Sequence, residues 1–160
     1  MVPAAAGNLT FFGPGYGFGV AEPIGWLKSR PDFAAVLFHP KGTNPDSSPV
    51  VIYARAVIKT AVKVGSIAEL NALDLEGMRA QWPKIQAKKV SSMGSLDGAE
   101  GAIYEFTGGN FHELVAYFDQ DKTIVMFILS SEGKPPSQDA RKTWKAMTTS
   151  YRWLPELAGR

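Results

Sequence analysis

No cysteine occurs anywhere in the 160 residues. That excludes disulfides, thiol nucleophiles, thiolate metal sites and an acylated lipoprotein cysteine within the chain, and it leaves the compartment open. Histidine is almost as scarce: with only His39 and His112, a metal site would have to draw carboxylates from several strands. Excess charge is missing too. Seventeen Lys and Arg stand against 15 Asp and Glu, a formal net of +2, which is too balanced to supply the phosphate contacts that drive nucleic-acid affinity. No nucleic-acid partner is therefore expected. The densest basic stretch, Arg79, Lys84, Lys88 and Lys89, reads as a solvated edge in preference to an anion-binding patch.

Long hydrophobic runs are also lacking. None reaches the roughly 18 residues that span a bilayer, so the chain is expected not to cross a membrane. The opening Met1-Val2-Pro3-Ala4-Ala5-Ala6-Gly7 has neither the basic n-region nor the apolar h-region of a signal peptide. Residues 1–8 read as a flexible N-terminus, of the kind left when an export signal is removed and a start Met added. Internal repeats and low-complexity segments are absent. What remains is ordinary globular composition, 45% apolar and 20% charged, in a chain long enough to bury roughly 70% of its unfolded surface as one domain spanning 1–160.

Turn chemistry divides that chain. Leu9 to Phe12 and Tyr16 to Ala21 flank Gly13-Pro14-Gly15 and predict a strand pair. Their glycines match neither G-x-G-x-x-G nor the P-loop, so closely packed backbone is expected there in place of a phosphate cradle. After a break at Pro23-Ile24-Gly25-Trp26, Phe33 to His39 and Val50 to Val64 read as an antiparallel pair around a loop from Pro40 to Pro49.

Ser66-Ile67-Ala68-Glu69 fits a capping box, so a helix should begin at Ile67, with Leu70, Met78, Trp82 and Ile85 on its apolar stripe. Asp74 and Gly77 are candidate points of division into two short helices, and Pro83 should end or kink it. Lys88 to Leu96, Ala102 to Thr107, Phe111 to Asp119 and Thr123 to Ser131 follow as a four-strand meander with Gly and Asn at its connectors. Leu114 to Phe118 and Ile124 to Leu129 are apolar without alternation, and a strand that is apolar on both sides must be covered on both sides. Ser137 caps a last helix whose Ala140, Trp144, Met147, Tyr151 and Leu154 share one face. The expected architecture is α+β: an antiparallel sheet, the last helix on one face, and the helix after Ser66 with any layer built by the N-terminal strands on the other.

The order of these pieces resembles the PsbP-like superfamily, which includes the photosystem II subunit PsbP, the Ran-binding protein Mog and the bacterial DcrB-like proteins. The resemblance runs from about Tyr16 to Leu154. It is carried by the Gly17-Phe18-Gly19-Val20 strand, Pro23-Ile24-Gly25-Trp26, the capped helix, the meander, and the C-terminal Ser150-Tyr151-Arg152-Trp153-Leu154. It implies an α/β/α sandwich and the adaptor, assembly or chaperone-like work of those proteins, with no shared catalytic motif to transfer.

Chemistry-bearing residues are few. His112-Glu113 offers half a metal site or an acid/base pair, but neighbours on a strand point to opposite faces and should not meet on one substrate. Gly94-Ser95-Leu96-Asp97-Gly98 is not G-x-S-x-G and reads as a turn. Trp82 and Trp144 fall on buried stripes. Trp26 and Trp153 are less constrained and stand, with His39 and His112, as candidate contacts to a partner or ligand. No cofactor or metal is expected. The sequence points to a non-enzymatic module for a protein partner, periplasmic or secreted, with a cytoplasmic location as the alternative. Two other readings are a small-molecule binder or hydrolase-like enzyme that titrates His39 or His112 in a cleft beside the sheet, and a chaperone that shields apolar partner helices.

Overall fold

The computed structural model describes residues 8–94 and 98–159. The expected flexible segment lies outside them up to residue 7, and so do Ser95, Leu96 and Asp97 of the expected Gly94 to Gly98 turn. Asn8, by contrast, is the first residue of a strand. Strands β1 (Asn8–Gly13) and β2 (Tyr16–Ala21) form the hairpin read at Gly13-Pro14-Gly15. Then come β3 (Trp26–Ser29), β4 (Val36–Pro40) and β5 (Val50–Ile58), with a helical turn α1 (Lys59–Val62) and helix α2 (Ile67–Arg79). The meander is β6 (Gln86–Gly94), β7 (Glu100–Thr107), β8 (Phe111–Gln120) and β9 (Thr123–Glu132). Helix α3 (Gln138–Ser150), β10 (Arg152–Trp153) and a final turn α4 (Pro155–Ala158) close the chain.

Two antiparallel sheets result, one of order β1-β2-β10 and one of order β3-β4-β5-β9-β8-β7-β6. The two unalternating apolar stretches, β8 and β9, lie at and beside the middle of the larger sheet, as a strand covered on both faces must. One face of that sheet puts Phe38, Ile52, Ala116, Phe118, Phe127 and Leu129 against α3 and the small sheet. The other puts Val57, Phe106, Val115, Tyr117, Met126 and Ile128 against α2.

The N-terminal strands therefore share a face with α3, and the expectation that they join the other helix is corrected. The cause is β10. It follows α3 directly and pairs with β2, Trp153 opposite Phe18, which ties the small sheet to the end of that helix. Phe18 then packs its ring edge on Phe127 at 5.4 Å, and the Trp144 indole N–H donates to Phe127 O at 3.1 Å. Gly17 and Gly19 are the closely packed backbone expected: a Cβ on Gly17 would lie 2.6 Å from Leu157 Cβ and 2.7 Å from Leu154 O.

Several boundaries move. The stretch from Val50 stays a strand only to Ile58, because Ile58 pairs with Thr123, the first residue of β9, and the partner strand ends there. Lys59 N–H donates to Lys122 O, and the chain coils into α1. Phe33 stays outside β4, exposed, with its ring against Tyr53 at 5.6 Å. Helix α2 is continuous through Asp74 and Gly77 and stops at Arg79, short of Pro83, so Trp82 and Ile85 lie past its end. Its cap is a variant of the expected box. Ser66 Oγ accepts from Glu69 N–H at 3.1 Å, while Glu69 Oε2 accepts from Gly65 N–H, one residue earlier than the box predicts. Helix α3 ends at Ser150, so Tyr151 reaches the core from its C-cap position and Leu154 becomes the N-cap of α4.

Arg79, Lys84, Lys88 and Lys89 are all exposed, the last two on β6, the edge strand of the larger sheet. A register shift between Lys89 and Ser91 breaks the ladder there. Lysines and a bulge on an edge strand discourage pairing with another sheet, which fits the solvated-edge reading of that stretch.

Candidate functional site

With the small sheet on the α3 side, α2 is left to cover the opposite face alone, and a cleft opens between it and the sheet. Its larger part has a volume of about 310 Å³. A second part of about 210 Å³ shares Tyr53, Met78, Trp82, Phe106 and Glu113 with the first, so the two form one continuous cleft.

Register explains which side chains meet in it. On the α2 face, Arg55 of β5 and Tyr117 of β8 flank Met126 of β9 in one row. Tyr53, Ile128 and Val115 form the next row, and Glu113 pairs with Ser130 in the row beyond. Helix α2 supplies the other wall with Leu73, Asp74, Gly77 and Met78. The polar end is joined by hydrogen bonds: Asn71 Nδ2 donates to the Tyr117 hydroxyl and that hydroxyl donates to Asp74 Oδ2, each at 3.2 Å. The other end is apolar, where Trp82 meets Phe111 edge-on at 5.7 Å above Ile85 and Phe106.

Burial sets the electrostatics. It raises the Glu113 carboxyl above its ordinary range; the nearby Asp74 adds to the rise, while a hydrogen bond from Ser130 and the Arg55 charge oppose it. Asp74 is raised by burial as well, against Arg55 and the Tyr117 hydrogen bond. Burial also pushes up both phenols, with Glu113 reinforcing the rise at Tyr53 and Asp74 the rise at Tyr117.

A group whose folded pKa is raised holds its proton more tightly in the folded state. Its protonated form therefore supports folding fully below the ordinary value of 4.5, and that support is lost as pH rises through the folded value. Glu113→Gln keeps an acceptor for Ser130 and removes the charge, so it is expected to melt higher than the parent at neutral pH, with the gap closing below 4.5. Thermal melts across pH check this; a variant that melts lower at neutral pH and matches the parent below 4.5 would mean that a stabilising partner holds the ionised carboxylate.

Gly77 faces the cleft mouth from the middle of α2, and a Cβ there would meet nothing within 4 Å. Gly77→Ala is expected to raise stability by about 0.5–1 kcal/mol, read by urea unfolding, because glycine costs a helix interior roughly that much.

The four residues singled out from the sequence lie elsewhere and apart. Trp26 opens β3 and Trp153 sits in β10, both half-buried against the α3-side core; Trp153 also lines a separate cavity of about 430 Å³ with Gly15 and Thr123. His39 is buried, its Nδ1 lying 3.1 Å from Thr43 Oγ1. Since the Thr43 hydroxyl donates its one proton to Pro40 O, the imidazole N–H is the donor. His112 lies on the α3 side of β8, with Nε2 at 2.7 Å from Glu105 Oε2. Glu113, one residue on, faces the cleft, so the two do point to opposite faces.

Trp82, expected in the core, is a half-buried cleft wall; Trp144 is the core residue expected, 4% exposed. Sequence reading reaches Glu113 only as the neighbour of His112, and Asp74 only as an interruption of a stripe. Tyr53, Arg55, Asn71 and Tyr117 escape it.

A seven-stranded antiparallel sheet with helices on both faces and a small three-stranded sheet laid against one of them is an α+β sandwich of PsbP-like fold. The cyanobacterial PsbP (CyanoP) of Synechocystis sp. PCC 6803 superimposes with a TM-score of 0.58 over 96% of this chain and 95% of its own, at 14% identity. Looser likenesses are a Pseudomonas aeruginosa protein of unknown function (TM-score 0.45, 14% identity, 76% of this chain and 94% of that one) and a Bacteroides thetaiotaomicron chain (0.46, 14%, 92% and 48%). No family model and no curated protein matches the sequence. Among the described residues no helix is long and apolar enough to cross a membrane.

Proposed function

We propose that this chain is a non-enzymatic protein-binding or assembly module of a bacterial envelope compartment, and that its partner docks on the cleft beside α2. The observation that carries this reading is the cleft's rim. Leu73 and Phe111 line the cleft at 43% and 40% exposed, and Phe33, 60% exposed, packs against Tyr53 of its wall. Bare apolar side chains grouped around a concavity are what a protein interface offers. The fold shared with a PsbP protein supports the same reading, since adaptor and assembly roles are what the PsbP-like resemblance implies.

The test is a photo-crosslinking residue in place of Leu73, with the same residue in place of the exposed Lys142 on α3 as control. A discrete protein adduct is expected at the first position and not at the second, in an envelope fraction. No adduct, together with turnover of a small substrate, would remove the reading; an adduct confined to the cytosolic fraction would move the module to the alternative compartment.

A second reading, a small-molecule binder or hydrolase-like enzyme, is favoured by one observation: two carboxylates raised by burial, Asp74 and Glu113, line one cleft. There the titrating groups would be these two, since neither histidine lines it. In that case Glu113→Gln lowers turnover by about 10²–10⁴-fold, while replacing both histidines with Gln leaves it unchanged. A chaperone for apolar helices needs a broad bare face. Residues 123–131 of β9 are buried throughout, so the middle of the sheet offers no such face.

A further inference from the structure

The cleft has a charge pattern as well as a shape. Two carboxylates, Asp74 and Glu113, line it with a single guanidinium, that of Arg55. Glu113 is only 7% exposed. Among the described residues the charged contacts are Lys59 with Asp119 and, whenever the imidazole is protonated, His112 with Glu105, so no cation lies within ion-pair distance of either cleft carboxylate. Beside the carboxylates lies the apolar chamber of Trp82, Ile85, Phe106 and Phe111. Gly109 keeps that chamber open, because even a Cβ there would touch the Trp82 ring at 3.4 Å.

We infer that the occupant of the cleft is a partner-protein segment presenting a Lys or Arg beside a large apolar side chain, the apolar group entering the Trp82 chamber and the cation meeting Asp74 and Glu113. This rests on the binding-module reading and names the partner's chemistry. Charge complementarity selects a cation over an anion: the carboxylates outnumber the guanidinium, and Arg55 stands exposed at the mouth. A cation beside aromatic faces and poorly solvated carboxylates gains from both. The combined space suits one or two side chains, being at the small end of ligand pockets. The bare rim at Phe33 and Leu73 selects a protein over a free amine, because a free amine would leave it uncovered.

The experiment titrates the intact ¹⁵N-labelled chain with the capped peptide Ala-Trp-Lys-Ala and follows amide shifts. Expected are shifts gathered at Tyr53, Gly77 and Gly109, and a loss of affinity of about tenfold or more when the peptide Lys becomes norleucine or the protein carries Glu113→Gln. Gly77→Trp, which places bulk in open space at the mouth, is expected to abolish the shifts; Gly77→Leu is a milder block, and both are checked by melting.

Shifts that fall elsewhere or nowhere overturn the inference. So does a peptide with Glu in place of Lys that binds equally well, and so does free tryptamine binding as tightly as the peptide. A native partner that crosslinks at Leu73 yet binds the Gly77→Trp and Glu113→Gln proteins unchanged overturns the inference and leaves the binding module standing. Absence of any Leu73 adduct, together with turnover of a small substrate, removes the module reading, and this inference with it.

Discussion

Phe127→Ala is expected to destabilise the protein by about 3–5 kcal/mol, the usual loss for a fully buried phenylalanine whose cavity cannot collapse. Phe127 is 0% exposed in the middle of β9. Its ring lies 5.4 Å from Phe18, 5.6 Å from Tyr151 and 6.3 Å from Phe118, with the last two stacked on each other at 4.1 Å. These rings come from three parts of the chain: the small sheet, the larger sheet, and the end of α3. A neighbour on one element can relax into a hole, but here each is held by its own strand or helix, so collapse is restricted. Equilibrium urea unfolding reads the loss as a lower midpoint at unchanged slope. Phe111→Ala, at 40% exposed, serves as the comparison. A loss below about 1.5 kcal/mol at Phe127 would mean that this face is not packed as described.

The second large effect belongs to a turn. Gly108, between β7 and β8, has φ +91°, and a Cβ there would collide with Lys84 O. Gly108→Ala combines left-handed strain of about 1–2 kcal/mol with an overpacking cost of about 1–3 kcal/mol, so a total of about 2–5 kcal/mol is expected. The contact is with backbone, which cannot swing aside as a side-chain tip would. Relief must come from moving the segment at Lys84 and Ile85, and Ile85 is a wall of the apolar chamber. The variant should therefore alter Trp82 fluorescence below its unfolding transition as well as lower that transition. A fully parental midpoint would place the Lys84 segment elsewhere.

Much of the fold was legible because it rests on local patterns. The unalternating runs at Leu114 to Phe118 and Ile124 to Leu129 marked the middle of the sheet, and serine caps marked both long helices. What the sequence could not carry was the side on which a separate layer lands. That depended on β10, a two-residue strand with no periodicity, pairing with β2 across most of the chain. The cleft exists because of that placement, so its residues were illegible for the same reason. Arg55, Tyr53 and Tyr117 are single polar groups in strands that otherwise read as core, and nothing in spacing tells that the facing helix stops at Arg79 and leaves them room. The residues that did stand out, His39, His112, Trp26 and Trp153, drew notice as rare types. Rarity carries no information about which face a side chain shares.

The position of β9 has a consequence for how the chain acquires its shape. It is the last long strand to be synthesised, yet it sits between β5 and β8 and joins Val50 to Ser131 along the whole of β5. Until it is in place, an emerging polypeptide holds two separate half-sheets, each with an unpaired margin that any extended segment can extend. Completion is then a single long-range closure, slow to nucleate because its loop is long. The interval before it is when a newly made chain is most exposed to aggregation.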